Sequence, residues 1–166
     1  YFLGYLAAIN KYPSERVSKL IRRNIDSQRD GLERVLKYSH MKDRMSHGGP
    51  CMPGQRRLFV NVDGDLFPCE RVNETSPVMR IGTIEGGFDY EAANRLLNIV
   101  ALTPKQCQNC WAIAHCTTCA KYCDNNGELS PELKLEHCQN ILLDVNDKFR
   151  QYLLEHELTD GSLLFV

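Results

Sequence analysis

Residues 107–123, CQNCWAIAHCTTCAKYC, constrain this chain more than any other stretch: five of its eight cysteines fall within seventeen positions, spaced C-x2-C-x5-C-x2-C-x3-C. Sulfur chemistry offers three uses for so many close thiols: disulfides, structural zinc and iron–sulfur clusters. Disulfides require an oxidising compartment, and no export signal is visible. The opening YFLGYLAAIN lacks the basic flank and small-residue cleavage site of a signal peptide. A cytoplasmic location is therefore expected. Cysteines two residues apart also bridge each other poorly but converge well on a common metal. Metal is the favoured reading.

The remaining composition narrows the partners. Of 166 residues, 43% are hydrophobic and 25% charged, the balance of a soluble globular protein. A net charge of −1 removes the simplest case for a nucleic-acid partner, which wants a strongly basic face. No apolar run approaches the ~20 residues of a membrane span. The sequence begins with Tyr1, without an initiator Met, and its first residues read as helix. The expectation is a piece of a longer chain.

Along the chain, residues 1–46 read as helical. Tyr12-Pro13-Ser14 supplies a start, and 14–26 place Val17, Leu20, Ile21 and Ile25 on one face. A second stripe, Leu32, Val35 and Leu36, follows Gly31, read as a break. Residues 46–56, SHGGPCMPGQR, are a loop by composition. In 56–72, alternating Leu58, Val60 and Val62, then Asp63-Gly64, then Leu66 and Phe67, predict a hairpin with a type I′ turn. Cys51 then precedes one strand and Cys69 ends its partner, so the two thiols can meet. A short strand at 81–84, a turn at Gly86-Gly87 and a helix carrying Ala92, Leu96, Leu97 and Val100 follow. Gly86-Gly87 lacks the spacing and Lys of a phosphate loop. Residues 124–131 are loop. From Pro131 to about Leu158 the chain is helical, with Ile141, Leu142, Val145, Phe149, Tyr152 and Leu153 on one side.

Cubane clusters and structural zinc each commonly take four thiolates, so eight cysteines fill two sites with none left over. Two C-x2-C knuckles on one zinc usually stand a dozen or more residues apart, and here only five separate Cys110 from Cys116. Dense cysteine runs feeding more than one cluster are a bacterial iron–sulfur pattern.

The whole set resembles the SPASM domain, the auxiliary-cluster module of radical SAM enzymes, whose signature is C-x(9–15)-G-x4-C, then C-x2-C-x5-C-x3-C, then a last C. Cys51-x12-Gly64-x4-Cys69 matches the first half, Cys107-x2-Cys110-x5-Cys116 the middle, and Cys138 the last. The wording HGGPC, LFVNVDGDLFPCERVNE and CQNCWAIAHC is similar to that of peptide-modifying maturases, of the Cys-rich-peptide and sulfatase types. One departure stands out: the x3 position after Cys116 is Ala120, flanked by Cys119 and Cys123. The resemblance implies one [4Fe–4S] cluster on Cys51, Cys69, Cys119 and Cys123, and a second on Cys107, Cys110, Cys116 and Cys138. In aerobic preparations zinc can take the same thiolates.

The resemblance further implies a parent enzyme that cleaves S-adenosylmethionine to a 5′-deoxyadenosyl radical, which abstracts hydrogen from a precursor peptide. The radical-forming C-x3-C-x2-C motif is absent here; residues 116–123 run in the reverse order, C-x2-C-x3-C. S-adenosylmethionine would thus be bound by an upstream radical SAM domain of the same chain, which with the precursor peptide makes up the expected partners. The expected fold is α+β: a small cysteine-rich, metal-stapled domain with antiparallel hairpins at 47–140, a helical linker at 1–46, and a C-terminal helix and tail at 141–166. The competing reading is a zinc-stabilised protein- or peptide-interaction domain without redox activity.

Other residues carry lesser expectations. His47, His115 and His137 lie close to cysteines and read as neighbours of the ligands. Trp111 and Ile113 read equally as a shield of a cluster from water or as ordinary core. Asp65 reads as a solvated turn charge, and Glu70 with Arg71 as a bridge to the upstream barrel. No catalytic Ser/His/Asp or Cys/His constellation stands out.

Overall fold

A computed structural model describes Gly4, Leu6, Ala7, residues 13–37 and residues 51–160. The first part of the expected glycine-rich loop, with His47, lies outside the described residues, as does most of the helix expected at 1–12. The chain is mixed helix and small antiparallel hairpins. It divides into two compact units, Tyr1–Arg44 with Leu143–Val166, and Met45–Leu142. No helix among the described residues is long and apolar enough to cross a membrane.

In the first unit, Ser14–Arg16 forms a 3-10 turn and helix α1 spans Lys19–Lys37. The helix starts later than Tyr12-Pro13-Ser14 implied because Ser18 supplies the cap, its Oγ accepting the Leu20 N–H at 3.3 Å. Gly31 does not break it. An exposed glycine inside a helix costs about 1 kcal/mol, and the stripe of Ile25 and Leu32, both buried, continues across it. Leu20 departs from the expected face and is 76% exposed. Five residues at 100° each carry it about 140° around from Ile25. Val35 and Leu36 fall outside the described side chains. Ile25, Arg29 and Leu32 of α1 meet Lys148, Tyr152 and Glu155 of the C-terminal helix around a small cleft.

The second unit begins with an irregular stretch, then strand β1 (Phe59–Val60) and strand β2 (Leu66–Phe67). They pair antiparallel, Phe59 opposite Phe67 and Val60 opposite Leu66. The connection is not the expected two-residue type I′ turn. Only Gly64 has positive φ there, at 81°, and Asn61 organises a five-residue loop. Its Oδ1 accepts the N–H groups of Asp63 (3.1 Å) and Asp65 (2.9 Å). Strands β3 (Gly82–Thr83) and β4 (Gly87–Phe88) form a second hairpin. It hooks onto the first through Ile81 N–H to Leu66 O and Ile84 N–H to Gly64 O, both 2.8 Å. Gly82 is obligatory: its φ is 140°, and a Cβ would sit 2.1 Å from the Gly87 carbonyl oxygen.

Asp89 caps helix α2 (Tyr90–Leu97), accepting the Ala92 N–H at 2.9 Å. The helix ends at Leu97, and Val100 belongs to a 3-10 turn, Ile99–Leu102. A one-turn helix α3 (Pro104–Gln108) opens the cysteine run, and two 3-10 turns, Ile113–His115 and Ala120–Cys123, carry it onward. Helix α4 (Pro131–Asp160) starts at Ser130, whose Oγ accepts the Leu133 N–H at 3.2 Å. Val145 of the expected α4 face is buried, whereas Leu153 is 57% exposed. The core of the second unit joins both hairpins, α2 and the cysteine run, with Phe67, Met79, Ile81, Ile99 and Cys123 fully buried.

Glu70 and Arg71 act within this unit: Glu70 pairs with Arg57 across the first hairpin, and Arg71 Nε lies 3.6 Å from the same carboxylate. Asp65, on that hairpin's loop, pairs with Arg80 at 3.3 Å.

The two glycines give opposite expectations. Gly31→Ala meets open space on the helix surface and should stabilise the chain by about 1 kcal/mol. Gly82→Ala should destabilise it by about 3 kcal/mol. Urea unfolding followed by circular dichroism measures both; equal midpoints would contradict the assigned backbone.

Candidate metal centre

All eight cysteines are free thiols. They fall into two neighbourhoods, and the local backbone explains the first. Cys107 lies in α3, and three successive turns follow: Cys110 N–H to Cys107 O (3.2 Å), Ile113 N–H to Cys110 O (3.2 Å) and Cys116 N–H to Ile113 O (3.3 Å). Bonds of this i→i+3 type stack residues three apart on one side. Cys107, Cys110, Ile113 and Cys116 all line one cavity of about 330 Å³. Cys138, on α4, lines the same cavity from another segment. Trp111, Leu135, Ile141 and Leu142 complete much of the wall. Ile113 is half-buried, while Trp111 is 60% exposed, a rim residue more than a shield. His115 and His137 are not among the lining residues.

The alignment of α4 with the run depends on a short tie. Ser130 N–H donates to Cys123 O at 2.6 Å, so the helix springs directly from the end of the cysteine segment. Two turns along α4 stands Cys138, and one turn before it Lys134. Lys134 is 1% exposed. Its Nζ donates to Thr103 Oγ1 at 2.6 Å and to Cys107 Sγ at 3.2 Å. Thr103 Oγ1 lies 3.4 Å from the same sulfur. Burial pushes the Cys138 thiol up, and Lys134 offsets this by favouring the thiolate, while Cys116, Cys107 and Cys110 disfavour a further negative charge. These four sulfurs thus share one electrostatic environment.

The second neighbourhood holds Cys51, Cys69 and Cys119. Burial first, then Cys69 and Cys51, raise the Cys119 thiol, against a lowering backbone hydrogen bond from Lys121. Cys51 lies before the first hairpin and Cys69 two residues past β2. Cys119 is extended, with φ −128° and ψ 170°, and turns away from the preceding 3-10 turns. Ala120, at the position where a cysteine was expected by resemblance, is buried in the hydrophobic core. Cys123 is fully buried in that core too, its Sγ facing the Cys119 carbonyl at 3.8 Å. Burial pushes its thiol up to about 12, with Lys134 pulling the other way. It is sensed by Cys119 on one side and by Cys138 and Cys116 on the other.

Sequence reasoning missed Lys134 and Thr103. The available signal was spacing: Lys134 stands four residues before Cys138 and Thr103 four before Cys107, one helical turn in each case. Two polar atoms beside the cysteines, Thr118 Oγ1 and His137 Nε2, are buried without a hydrogen-bond partner. His137 stacks on Tyr122, with centroids 3.7 Å apart and planes at 9°. Burial, then Lys121, pushes its imidazole down toward the neutral form.

A single zinc ion draws four sulfurs to about 2.3 Å and closes the space among them. Among the described residues, no three or more His, Cys, Asp or Glu side chains are gathered as such a donor set. Cys107, Cys110, Cys116 and Cys138 instead line, with ten other residues, one cavity of about 330 Å³. No family model, curated protein or solved structure matches the chain.

Thiol reactivity should follow these environments. With its pKa near 12, Cys123 forms thiolate only as pH climbs toward that value. In metal-free, reduced protein at pH about 8, iodoacetamide with peptide mass spectrometry should modify exposed Cys51 early and leave Cys123 unmodified. Early modification of Cys123 would place it outside the core.

Proposed function

We propose that this chain forms the auxiliary [4Fe–4S] domain of a radical SAM peptide maturase. The observation that carries the reading is that Cys107, Cys110, Cys116 and Cys138 all line one cavity of about 330 Å³. That quartet is the one the spacing resemblance assigns to a single cluster, and its members come from two segments of the chain. Cys51, Cys69 and Cys119 share the second neighbourhood, and with Cys123 they are the proposed ligands of the second cluster.

Bound clusters of this type supply one-electron transfer at a potential set by hydrogen bonding and solvent exposure. The residues of this chain provide the rest. Ile113, Leu135, Ile141 and Leu142 give the cavity an apolar wall. The first hairpin, pinned by Gly64 and the Arg57–Glu70 pair, returns Cys69 toward Cys51. A radical SAM domain, proposed to lie upstream in the same cytoplasmic chain, would hold S-adenosylmethionine. A precursor peptide would be the substrate.

Anaerobic reconstitution with iron and sulfide tests the reading. The expected result is about eight irons per chain, four for each thiolate quartet, with the visible charge-transfer absorption of iron–sulfur clusters. Cys110→Ala should lower iron content by about half, leaving the other neighbourhood loaded. Colourless, zinc-containing protein that stays unchanged on anaerobic reconstitution would overturn it in favour of a zinc-stabilised interaction domain.

A further inference from the structure

We infer that Lys134, with Thr103, makes the Cys107–Cys110–Cys116–Cys138 site the more readily reduced of the two, as a positioned positive charge held against a ligand sulfur. The inference rests on the cluster reading above and deepens it. Lysine is almost never fully buried unless its charge is paired, because an isolated ammonium loses several kcal/mol of hydration even after the surroundings relax. Lys134 is 1% exposed. Among the described residues, no carboxylate lies within ion-pair distance of it. Its anionic counterpart is therefore sulfur: Cys107 Sγ in contact at 3.2 Å, with Cys138 one turn further along the same helix.

Thr103 completes a triangle. Its oxygen accepts from Lys134 at 2.6 Å, which leaves its own hydroxyl proton for Cys107 Sγ at 3.4 Å. A metal-bound thiolate has no proton to give, so both contacts to Cys107 run from donor to sulfur. Donors to ligand sulfur favour the reduced form, and a nearby cation does so more strongly in a water-poor wall, since reduction adds negative charge there. The corresponding influence near Cys119 comes from a backbone N–H and Lys121, an exposed residue, while Lys134 reaches the second site through Cys123 alone. The two sites thus differ in what faces their sulfurs, and an electron arriving at Cys51–Cys69–Cys119 would pass toward Cys107–Cys138.

The test is a redox titration, monitored by electron paramagnetic resonance, of the anaerobically reconstituted full chain. Dithionite supplies one electron per cluster, itself being oxidised, and iron is assayed in the same samples. Lys134→Met keeps the stem and removes the charge; Lys134→Arg keeps the charge; Thr103→Val keeps the shape and removes the hydroxyl. With iron content unchanged, Lys134→Met should lower the reduction equilibrium of one cluster about tenfold, or about 59 mV for a one-electron couple. The other cluster, which Lys134 reaches only through Cys123, should move by less. Thr103→Val should shift the same cluster in the same direction by less, and Lys134→Arg should restore most of the wild-type midpoint. Full iron with unmoved midpoints in Lys134→Met overturns this inference alone. If Lys134→Met loses iron, an unmoved midpoint in fully loaded Thr103→Val overturns it equally. Absence of iron uptake by the wild type overturns the cluster reading and this inference with it.

Discussion

A fully buried lysine stands in the wall of the thiol cavity of the second unit. Among the described residues no carboxylate lies within ion-pair distance of Lys134, and its Nζ donates to Thr103 and Cys107 instead. In the proposed reading, thiolates bound to a metal group would balance its charge. The cavity, the lysine and the thiols are therefore one electrostatic arrangement, and each makes the others less costly.

That arrangement stands on a core with little regular structure. The strands are two residues long, and the cohesion comes from cross-links between short elements: Ile81 and Ile84 bonding to the first hairpin, Asp89 capping α2, and Ser130 tying α4 to Cys123. Phe67, Met79, Ile81 and Ile99 fill the space among them. Cys123 serves this core as a small apolar side chain, and it also lies electrostatically between the two thiol neighbourhoods.

Much of the fold was legible in the sequence because its signals are local. The return of the chain near Gly64, the turn at 84–87, the start of a helix at Pro131 and the apolar stripe of α1 all follow from periodicity and turn chemistry. Local signals misled where a neighbour outweighed them. Asn61, not Asp63-Gly64 alone, organises the hairpin loop, since its carboxamide satisfies two backbone donors at once. Gly31 looked like a break, yet the buried stripe on either side of it carries the helix through. Leu20 and Leu153 matched an apolar pattern by type but not by angle, and both face outward.

The candidate site divides in the same way. Sequence spacing by itself gathered Cys107, Cys110 and Cys116 into one dense run, whereas the i→i+3 turns that stack them on one side came from the structure. The sequence also determined that a hairpin lies between Cys51 and Cys69. Only the tertiary structure decided that Cys138 lines one cavity with the first three, that Cys119 comes within electrostatic range of Cys51 and Cys69, and that Lys134 is buried against Cys107. Those outcomes depend on where α4 springs from the cysteine run and on which side chains the core leaves room for. Such long-range packing relations have no periodic trace in a single chain.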